Sequence, residues 1–371
     1  MITFNLSSSE FYNKVSNIAK VISNKNSLPV LDDILFQVSD NEIKMTAADS
    51  ESQVTTSLPT IADGTAVFGV DAHLLLNSLK ELPEQPLTVE VDLDLLKCRI
   101  KYMNGTFDMP VRKDEEFPMK PVIKQDNVCY INADTFHRIV NKTIGYVEID
   151  EIRPVLGGVS FNFGEKLEIC ATGGCQLIKI TTTYTGESSG SFILGYKACK
   201  LTDMFVGKQT GDVKIKFDNM NVSFELEGYS YVCRLIDGRY PNYNSVIPKN
   251  YQDNVIVGRA ELTSALKRVM VFTNSQSCLV RFNINDSVIK VTGMDVDFSR
   301  SAEESLNCTC NGKNIIAGLK GSFVINILNS LGVDNIKISY FSNGAAFLFE
   351  PETSNSDFDI LCLLMPMMLN D

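Results

Sequence analysis

The chain has no tryptophan and only two histidines, His73 and His137. Neither histidine sits in a nucleophile, metal or acid–base motif, so both are expected to serve surface or helix-packing roles. No apolar run approaches the length that spans a bilayer. The first ten residues lack a basic stretch followed by an apolar one, so no secretory signal is expected. The ten cysteines, at 98, 129, 170, 175, 199, 233, 278, 308, 310 and 362, form no CxxC pair and no cluster with histidine at zinc spacing. Cys308 and Cys310 fall on one face of a strand and read as reduced, packed thiols. There is no Walker A motif and no GxGxxG opening a helix after a strand. Gly157-Gly158 and Gly173-Gly174 read as turns. No metal or cofactor is expected.

What is present is a globular composition, 44% apolar in 371 residues, long enough for two or three domains. Acidic residues outnumber basic ones, 45 to 34, for a net charge of −11. A uniformly acidic surface repels nucleic acid.

Self-comparison reveals a threefold repeat. An apolar strand followed by an amphipathic helix begins at Ile2, again at Val128 and again at Val255. The first helix carries Phe11, Val15, Ile18, Ala19 and Ile22 at helical spacing. Ser8 or Ser9 is expected to cap it, and Asn132 or Asp134 to cap its counterpart. A second helix, turn and alternating strand recur from Asp71, Tyr196 and Leu319. Asp114 to Pro118 is echoed by Asp237 to Pro241. The chain therefore reads as three domains, 1–124, 125–250 and 251–371, joined by polar segments near Pro121 to Asn127 and Pro248 to Asn254. Six helices and roughly two dozen short strands give an α+β class, with two helices per domain packed on antiparallel sheet.

The charge is segregated. The six expected helices carry Lys14, Lys20, Lys80, Arg138, Lys142, Lys197, Lys200, Lys208, Arg259, Lys267, Arg268 and Lys320. Against these stand Glu10, Asp71, Glu81, Asp134, Asp203 and Glu261, so the helices net +6 and the remainder −17. Helices gathered into one positive surface could meet a phosphate backbone, although solvated helix faces are commonly basic too. With no recognition-helix motif and no aromatics among the cations, such contacts would carry no sequence information.

Four segments are more specific. They are Ser27 to Leu35 (SLPVLDDIL), Ala171 to Leu177 (ATGGCQL), Leu235 to Tyr243 (LIDGRYPNY) followed by Val246 to Lys249, and the ending Leu364 to Met367 (LMPM). In these, and in its repeat, the chain resembles over its whole length the bacterial DNA polymerase III β subunit family, the sliding clamps. The resemblance implies a clamp fold and a head-to-tail homodimeric ring around duplex DNA. It implies a non-catalytic processivity factor, without cofactor, in the nucleoid-associated cytoplasm. Lys25 and Lys197 fall at its DNA-contacting positions. Lys14, Lys20, Lys80, Arg138, Lys142, Lys200, Lys267 and Arg268 would join them on the lining helices.

The resemblance also puts Phe107 and Met109 on one side of the subunit interface and Val271 and Phe272 on the other. By periodicity alone these four could equally belong to their own domain cores. A groove is implied for short linear motifs of polymerases, the clamp loader and repair proteins. The second domain would supply Leu156, Thr172, Gly174, Cys175, Gln176, Leu177, Pro241 and Val246, and the tail Leu363, Leu364, Met365, Pro366 and Met367. The apolar members would form pockets for leucine and phenylalanine, with Thr172 and backbone groups holding the polar part. Gln176, Ser245 and Met368 stand where the family often has basic residues, so weakly salt-dependent peptide binding is expected. Asn370 and Asp371 run past the family's usual end.

Two other functions compete with this one. A carboxylate hydrolase could use Asp32-Asp33 or Glu115-Glu116, but adjacent residues on a strand point to opposite faces. A protein-binding scaffold with no DNA role does not account for the helix cations; charge reversal at Lys142, Lys197 and Lys267 separates it from a clamp.

Overall fold

The computed structural model describes every residue except 24, 25, 27, 114–116, 125–126, 187–188, 208, 296, 342–344, 354–356 and 370–371. Lys25, Lys208, Glu115-Glu116 and Asn370-Asp371 lie outside the described residues.

The first third runs β1 (Ile2–Ser7), α1 (Ser8–Ile18), β2 (Asp33–Val38), β3 (Glu42–Ala48), β4 (Ser52–Pro59) and β5 (Ala66–Asp71). It continues α2 (Ala72–Lys80), β6 (Pro86–Asp92), β7 (Lys97–Tyr102) and β8 (Gly105–Pro110). The second third repeats this as β9 (Asn127–Asn132), α3 (Ala133–Thr143), β10 (Gly158–Phe163), β11 (Leu167–Thr172) and β12 (Gln176–Thr182). Then follow β13 (Gly190–Gly195), α4 (Tyr196–Val206), β14 (Asp212–Phe217), β15 (Asn221–Leu226) and β16 (Tyr229–Arg234). The last third runs β17 (Asp253–Gly258), α5 (Arg259–Val269), β18 (Leu279–Asn285), β19 (Val288–Asp295) and β20 (Arg300–Asn307). It ends with a short β21 (Thr309–Asn311), β22 (Ile315–Lys320), α6 (Gly321–Leu331), β23 (Asn335–Tyr340), β24 (Phe347–Pro351) and β25 (Asp359–Leu364). Apart from β21, the three orders match element for element.

The helices follow from their apolar spacing and their ends. α1 buries Phe11, Val15 and Ile18, a stripe three and four residues apart. Its cap is Ser7, whose hydroxyl accepts from the Glu10 amide. The expectation of Ser8 or Ser9 is corrected because the Ser8 side chain is buried, donating to the Pro83 carbonyl and accepting from the Gln85 amide. Asp71 caps α2 through the Leu74 amide. Asn132 accepts from the Asp134 amide at the start of α3. α6 stops at Gly332, whose left-handed backbone (φ 64°) disfavours any residue with a Cβ.

The chain forms two compact units, Met1–Asp134 with Lys200–Leu235 and Thr135–Cys199 with Ile236–Asp371; the divide falls within α3 and α4. The first unit holds a four-stranded sheet, β1-β6-β7-β8, and an eight-stranded one, β5-β2-β3-β4-β16-β15-β14-β9. The second holds a nine-stranded sheet, β13-β10-β11-β12-β25-β24-β23-β17-β21, and a four-stranded one, β20-β19-β18-β22. All named pairings are antiparallel.

Each large sheet is two four-stranded halves sewn together. In the first unit β4 pairs β16 from Ser52↔Cys233 to Thr56↔Tyr229. In the second unit β12 pairs β25 from Gln176↔Leu364 to Thr181↔Asp359. The same end of each seam is closed by one more main-chain bond, Arg234 N–H to Glu51 O and Met365 N–H to Cys175 O, both 2.8 Å. The two small sheets are halves of the same kind whose seam edges, β8 and β20, have no further strand beside them among the described residues.

The paired carboxylates of the hydrolase reading diverge. Asp32 accepts from the Asn26 amide at 2.8 Å. Asp33 is buried, with Oδ1 accepting from Arg112 at 2.7 Å and Oδ2 unpaired. Burial raises the Asp33 pKa, opposed by the Arg112 charge. A carboxyl with a raised folded pKa gives stability that is present below its unfolded pKa and lost as pH rises through the folded one. Arg112→Met strands this carboxylate, so the variant should lose about 3 kcal/mol of stability at neutral pH. The deficit should shrink as pH falls through the Asp33 pKa and the carboxyl becomes neutral. Urea melts of both proteins from neutral to acid pH check this; a deficit independent of pH would assign it to the Arg112 bond with the Pro29 carbonyl instead.

Candidate interface, peptide groove and DNA-facing cations

Val271 and Phe272 sit in a 3-10 turn after α5 that packs against β19 and β20. They are 71% and 39% exposed, large apolar side chains beside an open strand edge. Phe107, on edge strand β8, is half-buried with its ring 4.8 Å from that of Tyr102. Met109, at 2% exposure, is already core of its own sheet, and a partner could cover little more of its side chain.

In the second unit Cys170, Leu177, Ala346 and Leu363 form a buried apolar cluster, with Tyr240, Tyr243, Ile247 and Leu361 packed on it and partly open to solvent. β11, β12 and β25 bring Cys170, Leu177 and Leu363 together because the second seam sets Leu177 opposite Leu363. Around this floor Pro241 is exposed, Val246 57% exposed and Met365 45% exposed; Pro366 and Met367 are half-buried. Leu156 and Leu364 lie below, almost fully buried. The tail is fastened at both ends of this stretch, by Met365 N–H to Cys175 O and by Met367 N–H to Gly318 O. Gly318 is needed there: a Cβ would lie 2.9 Å from the Met367 carbonyl and from Leu369.

Two of the expected groove residues are already bonded within the protein. Gln176 is buried, its amide donating to the Gly145 carbonyl and accepting from Asn326 on α6, so it ties strand to helix. The Thr172 hydroxyl is also taken: it donates to the Gln176 carbonyl at 2.7 Å and accepts from the Gly174 amide at 3.1 Å. These bonds hold the turn that exposes Gly174 and Cys175, with Gly174 at φ 92°.

Sequence reasoning missed the aromatic rim. The Tyr240 hydroxyl accepts from the Thr172 amide, and its ring meets that of Tyr243 edge-on at 6.5 Å. The Tyr243 hydroxyl donates to Glu168, which is paired with Lys179 at 2.6 Å. Burial raises both tyrosine pKa values, with Glu168 adding to the rise at Tyr243. Both side chains lie in the quoted Asp-Gly-Arg-Tyr-Pro-x-Tyr segment, which was the available signal. Arg153 was also missed. Its guanidinium lies beside Gly174 and pairs with Asp150 at 2.9 Å.

The helix cations differ in exposure and in the neighbours that hold them. Lys20, Lys80, Lys197, Lys200 and Lys267 are exposed. Lys14 lies 4.4 Å over the Tyr229 ring, and burial lowers its pKa. The Lys142 ammonium donates to the Ser330 carbonyl at the last turn of α6, and burial followed by the Arg138 charge lowers its pKa. Arg138 pairs with Asp357 at 3.1 Å and covers Phe358, beside Lys142 in a recess of 480 Å³. Arg268 is held bidentate by Glu304, both bonds 2.7 Å.

A thrice-repeated pair of helices on half-sheets that are sewn edge to edge defines the DNA-clamp class of fold. Models of the DNA polymerase III beta subunit match the chain throughout: the N-terminal domain at residues 2–121, the central domain at 130–242 and the C-terminal domain at 244–368. The chain belongs to this family. The beta sliding clamp of Staphylococcus aureus is 20% identical to it over 99% of both chains. Solved sliding clamps from Pseudomonas aeruginosa (20% identity, TM-score 0.93, 99% of this chain and 100% of that one) and Bacillus subtilis (19%, 0.93, 100% of both) share the fold. So does the beta subunit of Thermotoga maritima (22%, 0.90, 100% of both). The protein is a sliding clamp of DNA polymerase III, acting in DNA replication as a processivity factor and not as an enzyme.

Proposed function

We propose that the chain is one of two protomers of a head-to-tail ring that holds duplex DNA topologically and tethers the replicative polymerase, the clamp loader and repair proteins through short linear motifs. The observation that carries this reading is the count of seams. Three repeats make six half-sheets; four are sewn into two seams within the chain, leaving one unmatched edge of each kind, β8 and β20. Joining β8 of one protomer to β20 of its partner uses both seam edges and closes a symmetric dimer in which every seam edge is paired. The three repeats are taken as domains 1–124, 125–250 and 251–371.

The exposed lysines Lys20, Lys80, Lys197, Lys200 and Lys267 are assigned to the DNA-facing side, together with Lys14, Arg138, Lys142 and Arg268. Diffuse attraction to phosphates suits a ring that must slide, since it has no preferred register on the duplex. The apolar floor at Leu177 and Leu363, with its rim of Tyr240, Tyr243, Val246 and Met365, is assigned to the linear motifs. The site of action is the nucleoid in the cytoplasm.

Retention on DNA tests the ring. The protein is loaded by its cognate loader onto a nicked circle, washed at high salt, and the circle is then cut once. Release only after cutting is the expected result. Release during the wash, with the loader proven active on another clamp, would mean ordinary electrostatic binding.

A further inference from the structure

We propose that Leu95 and Leu96 of one protomer pack against Phe298 of the partner subunit, closing the end of the protomer seam where a main-chain hydrogen bond is missing. The inference rests on the ring reading and extends it to a contact outside the strand edges.

The two seams inside the chain fix the geometry of the third. β4, β12 and β20 occupy the same place in their half-sheets, as do β16, β25 and β8. In both internal seams the first residue of the former strand lies opposite the last paired residue of the latter, Ser52 opposite Cys233 and Gln176 opposite Leu364. One step further out, Arg234 N–H and Met365 N–H donate to Glu51 O and Cys175 O. Carried to the third seam, this register sets Arg300 opposite Met109 of the partner subunit and Ala302 opposite Phe107 of the partner subunit. The outer donor then falls to Pro110, which has no N–H, and the acceptor to Ser299. The third seam cannot close as the other two do.

Exposed apolar side chains stand at both sides of that gap. Leu95 is 74% and Leu96 42% exposed, in the turn between β6 and β7. The Leu96 carbonyl accepts from the Val111 amide at 3.0 Å, which fixes this turn next to Pro110. Leu96 holds a left-handed backbone at φ 51°, a conformation leucine disfavours, and so presents its side chain outward at a conformational cost. Phe298 is 66% exposed, immediately before Ser299, itself left-handed at φ 52°. The Arg300 guanidinium lies 5.1 Å from the Phe298 ring. A second copy is the occupant because the register brings these two turns together only across the protomer seam. Pro110 also suits an edge that must stay unpaired until the ring closes.

The test is subunit exchange between donor- and acceptor-labelled full-length dimers. Leu95→Ser and Phe298→Ser should each speed exchange about tenfold, the effect of losing one well-packed apolar contact. Because both remove the same contact, the double variant should exchange scarcely faster than either single one. Ile61→Ser and Met119→Ser, more exposed still but away from the seam, should exchange like the wild type. Pro110→Ala restores the donor and should slow exchange about fivefold. Wild-type rates for both Leu95→Ser and Phe298→Ser, or effects that multiply in the double variant, would overturn the contact and leave these side chains to another partner. A wild-type protein that sediments as a monomer would overturn the ring reading itself, an outcome distinct from failure of the contact alone.

Discussion

Replacing Val271 and Phe272 together with aspartate is expected to turn the protein into a folded monomer that washes off circular DNA at high salt. Both side chains are exposed in the isolated protomer and flank the open edge of β20, so neither supports the fold of its own domain. Fully burying such a side chain is worth ~1.5–3 kcal/mol, and here 71% of Val271 and 39% of Phe272 remain to be buried in each of two seams. Removing both side chains from both seams therefore costs ~3–6 kcal/mol, about two to four orders of magnitude in the dimer dissociation constant. A carboxylate forced into a dry interface adds a desolvation cost on top.

Sedimentation velocity at micromolar concentration reads the dissociation, and a thermal melt shows whether the monomer remains folded. A variant that stays dimeric would move the interface away from this turn, whatever its effect on DNA retention. Met109 gives the complementary expectation. Because it is already core, truncating it should destabilise the protomer itself and weaken the dimer only through that loss.

The threefold repeat, the six helices and the α+β class were legible because helical spacing and strand alternation are local properties of the sequence. The seams were not legible. Alternation tells which face of a strand is buried and nothing about which strand lies beside it, so the second third could not be seen dividing its strands between two large sheets. The same limit hides which polar atoms the fold itself uses. Gln176 and Thr172 carry the polarity expected of ligand-binding groups, yet the structure uses those atoms to hold the 172–176 turn and to reach Asn326, about 150 positions away in the chain. That Ser330 and Glu304 hold Lys142 and Arg268 was likewise hidden, because both partners lie far along the chain. The apolar tail stood out in the sequence since termini usually trend polar. Its two main-chain fastenings depend on strands far from it in sequence.

A linear peptide bearing leucine and phenylalanine should bind the wild-type groove with an affinity that changes less than about threefold over a tenfold range of salt. The floor is apolar, and two cations near it are already paired: Lys179 with Glu168 at its edge, and Arg153 with Asp150 beside the 173–174 turn. Gln176, Ser245 and Met368 add no cation. Affinity must then come from apolar contact, and Val246→Asp combined with Met365→Asp should weaken it more than ~100-fold, the combined loss of two side-chain burials at ~1.5–3 kcal/mol each. These positions discriminate better than Leu177 or Leu363, because they are 57% and 45% exposed and can change without opening a cavity, whereas Leu177→Ala would also cost the protomer ~2–5 kcal/mol. Fluorescence anisotropy of a labelled peptide measures both quantities. A steep salt dependence would place a cation of this chain on the ligand, with Arg153 the first to exchange Asp150 for it, and an unchanged affinity in the double variant would move the docking site off the tail.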